Sequence, residues 1–282
     1  MKRELLSFAR AMGLLRPGDR VMRVKSQLMH YGRNRRFVRT HPDFPFPPAD
    51  LAFDAYNKVD CVAYLESGIS HAELYARIIR EHAPAGPLAI LEWGCGPGRI
   101  IRHMQRCANG HAVTLTGSDV NRRSIAWNRE HLPGVNFVVN DFMPPLSFAD
   151  NTFDVIYNFS VFTHLSEETQ KAWARELLRV LKPGGLFICS THGIYYRNRL
   201  AGKAEARQFN EGRVVVQSHY AEGKKWFLAL HPERYVREQL LRDFGDVQIV
   251  SVEGDSGMTH DIWIAHKSVA PIAAAATHVD AI

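Results

Sequence analysis

The residues best placed for chemistry begin at a glycine turn. The apolar run Ala89-Ile90-Leu91 leads into Glu92-Trp93-Gly94-Cys95-Gly96-Pro97-Gly98 and leaves through Arg99-Ile100-Ile101-Arg102. A strand, a glycine turn and a helix start build a crevice at the strand's carboxyl end, where nucleotide-type ligands lie. Glycines there permit the sharp turn and a close approach of backbone to ligand. A dinucleotide turn reads G-x-G-x-x-G and would place its third glycine at position 99, which is Arg99. The observed G-x-G-x-G after an acid disfavours a nicotinamide dinucleotide and suits a ligand with no pyrophosphate to seat. About twenty residues on, Asp119 closes Gly117-Ser118-Asp119, where a carboxylate can grip ribose hydroxyls. Further on, Asn140-Asp141-Phe142 offers an acid to an exocyclic amine and a ring to a purine face. Together these residues make a binding set for an adenosine with an amino-acid tail.

Positioning that set requires alternating strands and helices. Strands are expected at 88–92, 112–118, 135–139, 153–159 and 186–190, with helices at 98–107, 121–131 and 167–181. Lys182-Pro183-Gly184-Gly185 reads as a turn. A helix at 232–244 and strands at 247–253 and 261–266 complete an α/β, doubly wound, mostly parallel seven-stranded sheet. The main α/β domain spans 88–268, and residues 193–231, rich in Arg, Lys, Tyr and Gly, interrupt it as an insertion after the fifth strand. Ahead of it, 1–48 forms a basic arm with a proline-rich linker, and 49–87 a helical cap. In the arm, helical spacing covers 2–15 and Arg16-Pro17-Gly18 stops it; a basic connector follows. In the cap, helices are expected at about 50–67 and 71–83, the second opened by Ser70 with Glu73 three residues on. The alanine-rich end, 269–282, is expected to be disordered.

Composition excludes several classes. Of 282 residues, 46% are hydrophobic and 23% charged, normal for a globular chain with a sizeable core. No apolar run reaches the ~20 residues of a membrane span, and Arg10 and Arg16 interrupt any leader-like stretch; the protein is expected to be cytoplasmic. Cys61, Cys95, Cys107 and Cys189 show no C-x-x-C pair, and the fourteen histidines show no ligand spacing, so no metal site is expected. Net charge is +6, of which residues 1–40 hold +9. Such an arm suits peripheral contact with an anionic surface, or is simply a solvated extension. Few aromatics interleave with the basic residues, so no nucleic-acid partner is expected.

Residues 88–192 resemble the class I (Rossmann-like) S-adenosylmethionine-dependent methyltransferase family. The matching pieces are the Leu91–Gly98 turn, Asp119, Asn140-Asp141-Phe142, Phe153-Asp154-Val155-Ile156, Ser160-Val161-Phe162-Thr163-His164-Leu165 and Leu177-Leu178-Arg179-Val180-Leu181-Lys182-Pro183-Gly184-Gly185. Each is weak alone; six in order are not. The resemblance implies S-adenosyl-L-methionine as cofactor, held by Glu92, Trp93, Gly94, Cys95, Gly96 and Gly98 around its methionine end. It implies Asp119 and Val120 at the ribose, Asn140, Asp141 and Phe142 at the adenine, and Asn158, Phe159 and Ser160 beside the sulfonium. Phe142 has the alternative of a core aromatic, and the two acids that of loop carboxylates or helix caps.

An alcohol acceptor must lose a proton, and a positioned histidine is the usual base. His164, after the fourth strand, and His192, after the fifth, lie by topology on the functional rim. Either can instead be a packing residue. Tyr195 and Tyr196 are candidates for the acceptor pocket. The expected reaction is O-methylation of a small-molecule or glycan hydroxyl. The alternatives are N-methylation of a natural-product amine and a scaffold that binds cofactor without turnover. A nicotinamide oxidoreductase is disfavoured by Arg99. The acceptor's identity and the oligomeric state are not written in the sequence.

Overall fold

A computed structural model describes residues 15–107, 112–198, 200, 202–217, 221–250 and 259–269. The helix expected at 2–15, the end of the 247–253 strand and the tail beyond Val269 therefore lie almost wholly outside the described residues, as do His219 and Tyr220.

The chain enters through α1 (Leu15–Thr40), α2 (Ala49–Tyr56) and α3 (Cys61–His82). The alternating portion follows: β1 (Leu88–Trp93), α4 (Ile101–Cys107), β2 (Val113–Asp119), α5 (Arg122–His131), β3 (Val135–Val139), β4 (Phe153–Tyr157), α6 (Glu167–Val180) and β5 (Leu181–Thr191). The insertion holds α7 (Ile194–Arg197), α8 (Lys203–Asn210), β6 (Val215–Gln217) and β7 (Leu228–Leu230). Then come α9 (Glu233–Tyr235), widened into a π-turn over Val236–Leu240, β8 (Gly245–Val250) and β9 (Asp261–His266).

The seven-stranded sheet has the order β3-β2-β1-β4-β5-β9-β8. Strands β1 to β5 pair in parallel, and β9 slots antiparallel between β5 and β8. Strand order reverses between β1 and β4, so loops leaving their carboxyl ends open a crevice there. Because β9 runs the other way, its first residue, Asp261, pairs with Thr191 at the carboxyl end of β5. Residues just before β9 thus reach the same rim. Two apolar layers sandwich the sheet. One is built on Trp93, Phe162, Trp173 and Phe187, the other on Tyr75, Ile101, Ile125 and Tyr157.

Three expectations are corrected. Residues 16–18 do not end a helix, since α1 runs from Leu15 to Thr40 through the expected connector. Pro17 falls in its first turn, where a missing amide donor costs nothing. The cap breaks at 57–60 rather than at 68–70. Asn57 takes the left-handed conformation (φ 58°) and closes α2, and Asp60 caps α3 by accepting from the amide of Ala63. Ser70 therefore lies inside α3 and opens nothing. Finally, β5 begins at Leu181, not 186. Leu181 pairs with Phe153, and a register shift between Phe153 and Val155 takes up the proline-glycine residues.

Candidate functional site

The glycine turn is held from several sides. Gly94, Gly96 and Gly98 all have positive φ (78°, 50° and 68°), a region costly for any residue with a Cβ. A Cβ on Gly94 would run into Val161, and one on Gly98 would come 2.5 Å from Leu132. The amides of Gly94 and Cys95 donate to Ser118 O, and Asn128 Nδ2 donates to Gly96 O (2.8 Å). Cys95 is buried beneath. Trp93 faces the core, its ring 4.8 Å from Trp173 and 5.3 Å from Phe162, leaving only its backbone at the turn.

Two acids flank the turn differently. Glu92 is buried and accepts from Tyr157 Oη (3.1 Å). Burial pushes its carboxyl up to about 8, despite bonds from Tyr157 and the amide of Ile101. At neutral pH it is mostly protonated and sits under the turn. Asp119 lies at the mouth, with one oxygen accepting from Gly96 N (2.7 Å) and the other from Asn121 N (2.7 Å). Each oxygen keeps a second lone pair for a ligand. Val120 beside it is exposed.

The rest of the crevice has polar groups without partners. Asn158 is fully buried, its side-chain oxygen and nitrogen both unpaired, and Ser118 Oγ and Asn140 Oδ1 are unpaired too. Buried polar atoms of this kind cost roughly 1–3 kcal/mol each until something bonds them. Asp141 is exposed. Phe142, also exposed, lies against Gly223, and its carbonyl accepts from Trp173 Nε1 (3.0 Å). Ser160 has φ 61° and donates its amide to Ser190 Oγ (2.7 Å).

In the sequence Arg99 reads only as a missing glycine. It is 8% exposed, and no carboxylate lies within ion-pair distance of it among the described residues. Its Nη1 donates to Ser67 Oγ (3.2 Å) and contacts His71 Nδ1 (3.0 Å). The guanidinium lies 5.3 Å from the Tyr56 ring and 5.4 Å from that of Phe159. Each ring face offers at most about 2 kcal/mol at a dry site, whereas a buried cation costs several. An anionic group beside Arg99 would close that deficit.

A cluster of imidazoles lines the other side. His164 donates from Nδ1 to Phe227 O (2.9 Å), because a carbonyl can only accept. Nε2 therefore carries the lone pair. Burial holds its pKa below the usual value, outweighing that hydrogen bond. His192 lies tilted against Tyr196 (3.7 Å between ring centroids) and 4.7 Å from His260. His260 shares a hydrogen bond with Ser160 Oγ (3.1 Å) and packs at a tilt against Phe159 (4.8 Å between ring centroids). Burial lowers His260 and His231 to about 3 and drives His192 lower still, and neighbouring imidazoles press His260 and His192 further in the same direction. All are neutral at neutral pH. Tyr196 Oη bonds Thr259 Oγ1 (3.2 Å), and Tyr195 is 38% exposed at the rim.

One strap from the insertion fixes His164. Gly223 N donates to His164 O (2.9 Å), Phe227 O accepts from the imidazole Nδ1–H, and Glu222 accepts from the amide of Ser166 at the start of α6 (2.6 Å). The strap's far end meets α1, where Trp226 Nε1 donates to Asp19 (2.8 Å) and Lys225 pairs with Asp19 at 3.5 Å.

The crevice thus gathers the backbone of the turn, Asp119, Asn140, Asn158, Phe159, Ser160, His164 and His192. The side chains of Trp93 and Cys95 go to the core, and that of Glu92 goes under the turn. Sequence reasoning missed Arg99, His71 and His260. Arg99 could have been found as a basic residue directly after a glycine turn. His260 could have been found from the antiparallel sense of the last strand. His71, inside a helix, gave no signal.

Residues 90–185 match the family described as a methyltransferase domain. Over 143 residues the chain is 33% identical to a phthiotriol/phenolphthiotriol dimycocerosates methyltransferase of Mycobacterium tuberculosis, covering 50% of this chain and 48% of that protein. Over 103 residues it is 34% identical to the sterol 24-C-methyltransferase of Neurospora crassa, covering 36% and 26%. The chain spans about half the length of the mycobacterial relative. In fold it is similar to the PH0226 protein from Pyrococcus horikoshii (TM-score 0.51, 19% identity, 82% of this chain and 99% of that one). It is also similar to a SAM-dependent methyltransferase from Methanosarcina mazei (TM-score 0.50, 23% identity, 68% and 97%).

Proposed function

We propose, from the premise that this chain is a class I, Rossmann-like S-adenosylmethionine-dependent methyltransferase, that it methylates a hydroxyl of a small, largely apolar molecule with His164 as general base. One observation carries the choice of acceptor atom. The Nδ1 proton of His164 is committed to Phe227 O, which leaves Nε2 unprotonated on a neutral ring. That is the protonation state a base needs, and an acceptor that already offers a lone pair, such as an amine at high pH, would not require it.

The cofactor fits the residues present. Unpaired Asn158, Ser118 and Asn140 atoms await polar partners, the glycine turn leaves its backbone open, and Arg99 lacks a counter-charge. Asp119 would hold ribose hydroxyls, and Arg99 with Ser67 the amino-acid carboxylate. Asp141 and Phe142 would face the adenine. When bound, S-adenosylmethionine supplies an electrophilic methyl group. The chain's own work is to exclude water, to hold the acceptor oxygen in line and to take its proton at His164 Nε2. His192, His260 and Phe159 form an uncharged, ring-rich wall beside that position. Such a wall favours an apolar acceptor, and the similar methyltransferases named for phthiotriol dimycocerosates and for a sterol are in keeping with one. A glycan acceptor is the second reading, supported by Tyr195, whose exposed ring can stack on a sugar.

His164→Gln should lower kcat by about 10²–10⁴ with little change in S-adenosylhomocysteine affinity. The acid limb of the wild-type kcat profile should lie below pH 6.5, since His164 is shifted down, and should vanish in the variant. Undiminished turnover in the variant would remove the base. Absence of any S-adenosylhomocysteine binding by calorimetry would remove the whole reading.

A further inference from the structure

Helix α1 is built inside out. Its inward stripe is polar: Ser26, His30, Arg33 and Asn34 recur at helical spacing, with Phe37 the one buried large apolar residue among the helix's described side chains. Hydrogen bonds hold this stripe to the 59–61 segment. Val59 N donates to Ser26 Oγ (2.9 Å), Asn34 Nδ2 to Val59 O (2.7 Å), Cys61 N to Asn34 Oδ1 (2.9 Å) and Arg33 to Asp60 (3.1 Å). The apolar side chains point the other way. Val21 (66% exposed), Val24, Leu28 (72%), Met29 (67%), Tyr31 and Val38 all stand in solvent. This one helix carries half of the large exposed hydrophobics among the described residues.

Charge accompanies them. Between Leu15 and Thr40 there are eight arginines or lysines and a single acid, Asp19. Arg20, Lys25, Arg35, Arg36 and Arg39 are exposed on or beside the apolar face. Asp19 is engaged by Trp226 and Lys225, so no acid on the helix offsets that face. Nor does the helix need the face for its own folding, since its attachment is on the opposite side.

We infer that α1 docks the protein on the anionic headgroup face of a lipid bilayer. Val21, Val24 and Leu28 would enter the interface, and Lys25, Arg35, Arg36 and Arg39 would meet the headgroups. Exposed aliphatics flanked by cations are what such a surface rewards, through buried apolar area plus attraction to acidic lipid. A second copy of this chain fits poorly, because two such helices would bring like charge together. Nucleic acid also fits poorly, because aliphatic side chains gain little on phosphates and only Tyr31 offers a ring for stacking. At about 1.5 Å per residue the helix is long enough to lie along a membrane surface. It is too polar to cross one; no helix among the described residues is long and apolar enough for that. The surface is separate from the cofactor crevice, so its test does not depend on the proposed reaction.

The full-length protein should co-sediment with vesicles of phosphatidylcholine containing phosphatidylglycerol and stay in solution with phosphatidylcholine alone. Raised salt should release it. Arg35→Glu with Arg36→Glu should weaken partitioning by about tenfold or more, and Val21→Ser with Leu28→Ser should weaken it several-fold. All these positions are exposed, and unchanged S-adenosylhomocysteine affinity and melting temperature would show that the variants fold. Failure of the wild type to bind acidic vesicles overturns the inference. So does binding that the apolar pair leaves untouched, a dimer in sedimentation that Leu28→Ser dissociates, or capture of a DNA duplex in preference to vesicles.

Discussion

Arg99 stands where a dinucleotide-binding turn would have its third glycine, and its surroundings explain why a charged side chain is useful there. It is enclosed by Tyr56, Phe159, Ser67 and His71, with no carboxylate among the described residues to pair it. Glu92, the nearest acid in charge terms, is pushed up to about 8 by burial and so offers little negative charge at pH 7. The carboxylate of the cofactor's methionine is the expected partner. Arg99→Gln should then weaken S-adenosylhomocysteine binding by roughly 10- to 100-fold, the range for a charge-assisted bond. It should leave binding of 5′-methylthioadenosine, which lacks the amino-acid tail, nearly unchanged. Calorimetry with both ligands checks this, and an equal loss for both would place Arg99 in the folding of the turn instead. At this scale the sequence was legible where chemistry and backbone coincide. Gly94, Gly96 and Asp119 can be read because a tight turn and a strand-end carboxylate have local signatures. Arg99 and His260 left only a positional hint and His71 none, because what they do depends on contacts with residues 28 to 100 positions away.

At the scale of elements, the strap 222–227 is where the insertion acquires a role. It caps α6 through Glu222, accepts the His164 Nδ1–H hydrogen bond at Phe227 O, and reaches α1 through Trp226 and Lys225. Asp19→Ala removes both contacts to α1 while touching nothing in the crevice. Faster hydrogen exchange at Gly223 and Lys224 is expected, with a lower kcat from a less fixed His164 and unchanged cofactor affinity. Exchange rates matching wild type would mean that the strap stands without α1. The alternating β/α portion was largely readable from apolar periodicity, down to the limits of β3 and β9. The N-terminal elements were not. Pro17 and Gly18 look like a stop in sequence, yet the first turn of a helix tolerates both. Ser70 and Glu73 mimic a helix start, yet Asp60 had already supplied one. Local signals of this sort name permitted boundaries, and tertiary contact chooses among them.

Across the molecule, buried imidazoles set the response to acid. His71 and His103 are lowered to about 4, His231 and His260 to about 3, chiefly by burial. The unfolded chain, with histidines near 6.5, binds more protons than the native one between these values. Stability is therefore full above about pH 6.5 and lost as pH falls toward 4, at up to ~1.4 kcal/mol per pH unit for each histidine. Glu92 acts oppositely: its raised carboxyl favours the fold below about 4.5 and gives that up as pH rises through 8. Melting temperature should thus fall steeply below pH 6, where the four histidines outweigh Glu92, and decline gently from about pH 6.5 to 8 before levelling off. A flat profile from pH 7 to 5 would show that these rings are hydrated. The crevice and the acid-sensitive cluster belong to one rim, so inactivation and unfolding in acid should begin together.

Strand β9 completes the sheet between β5 and β8, yet it is separated in sequence from β5 by about seventy residues. During synthesis β5 must wait with one edge bare, its fully buried Phe187 and Cys189 among the last core groups to be covered on that side. An open apolar edge is a template for pairing with other chains. A nascent or truncated chain ending before Asp261 is therefore the form of this protein most prone to aggregate, and the closing strand is also its protection.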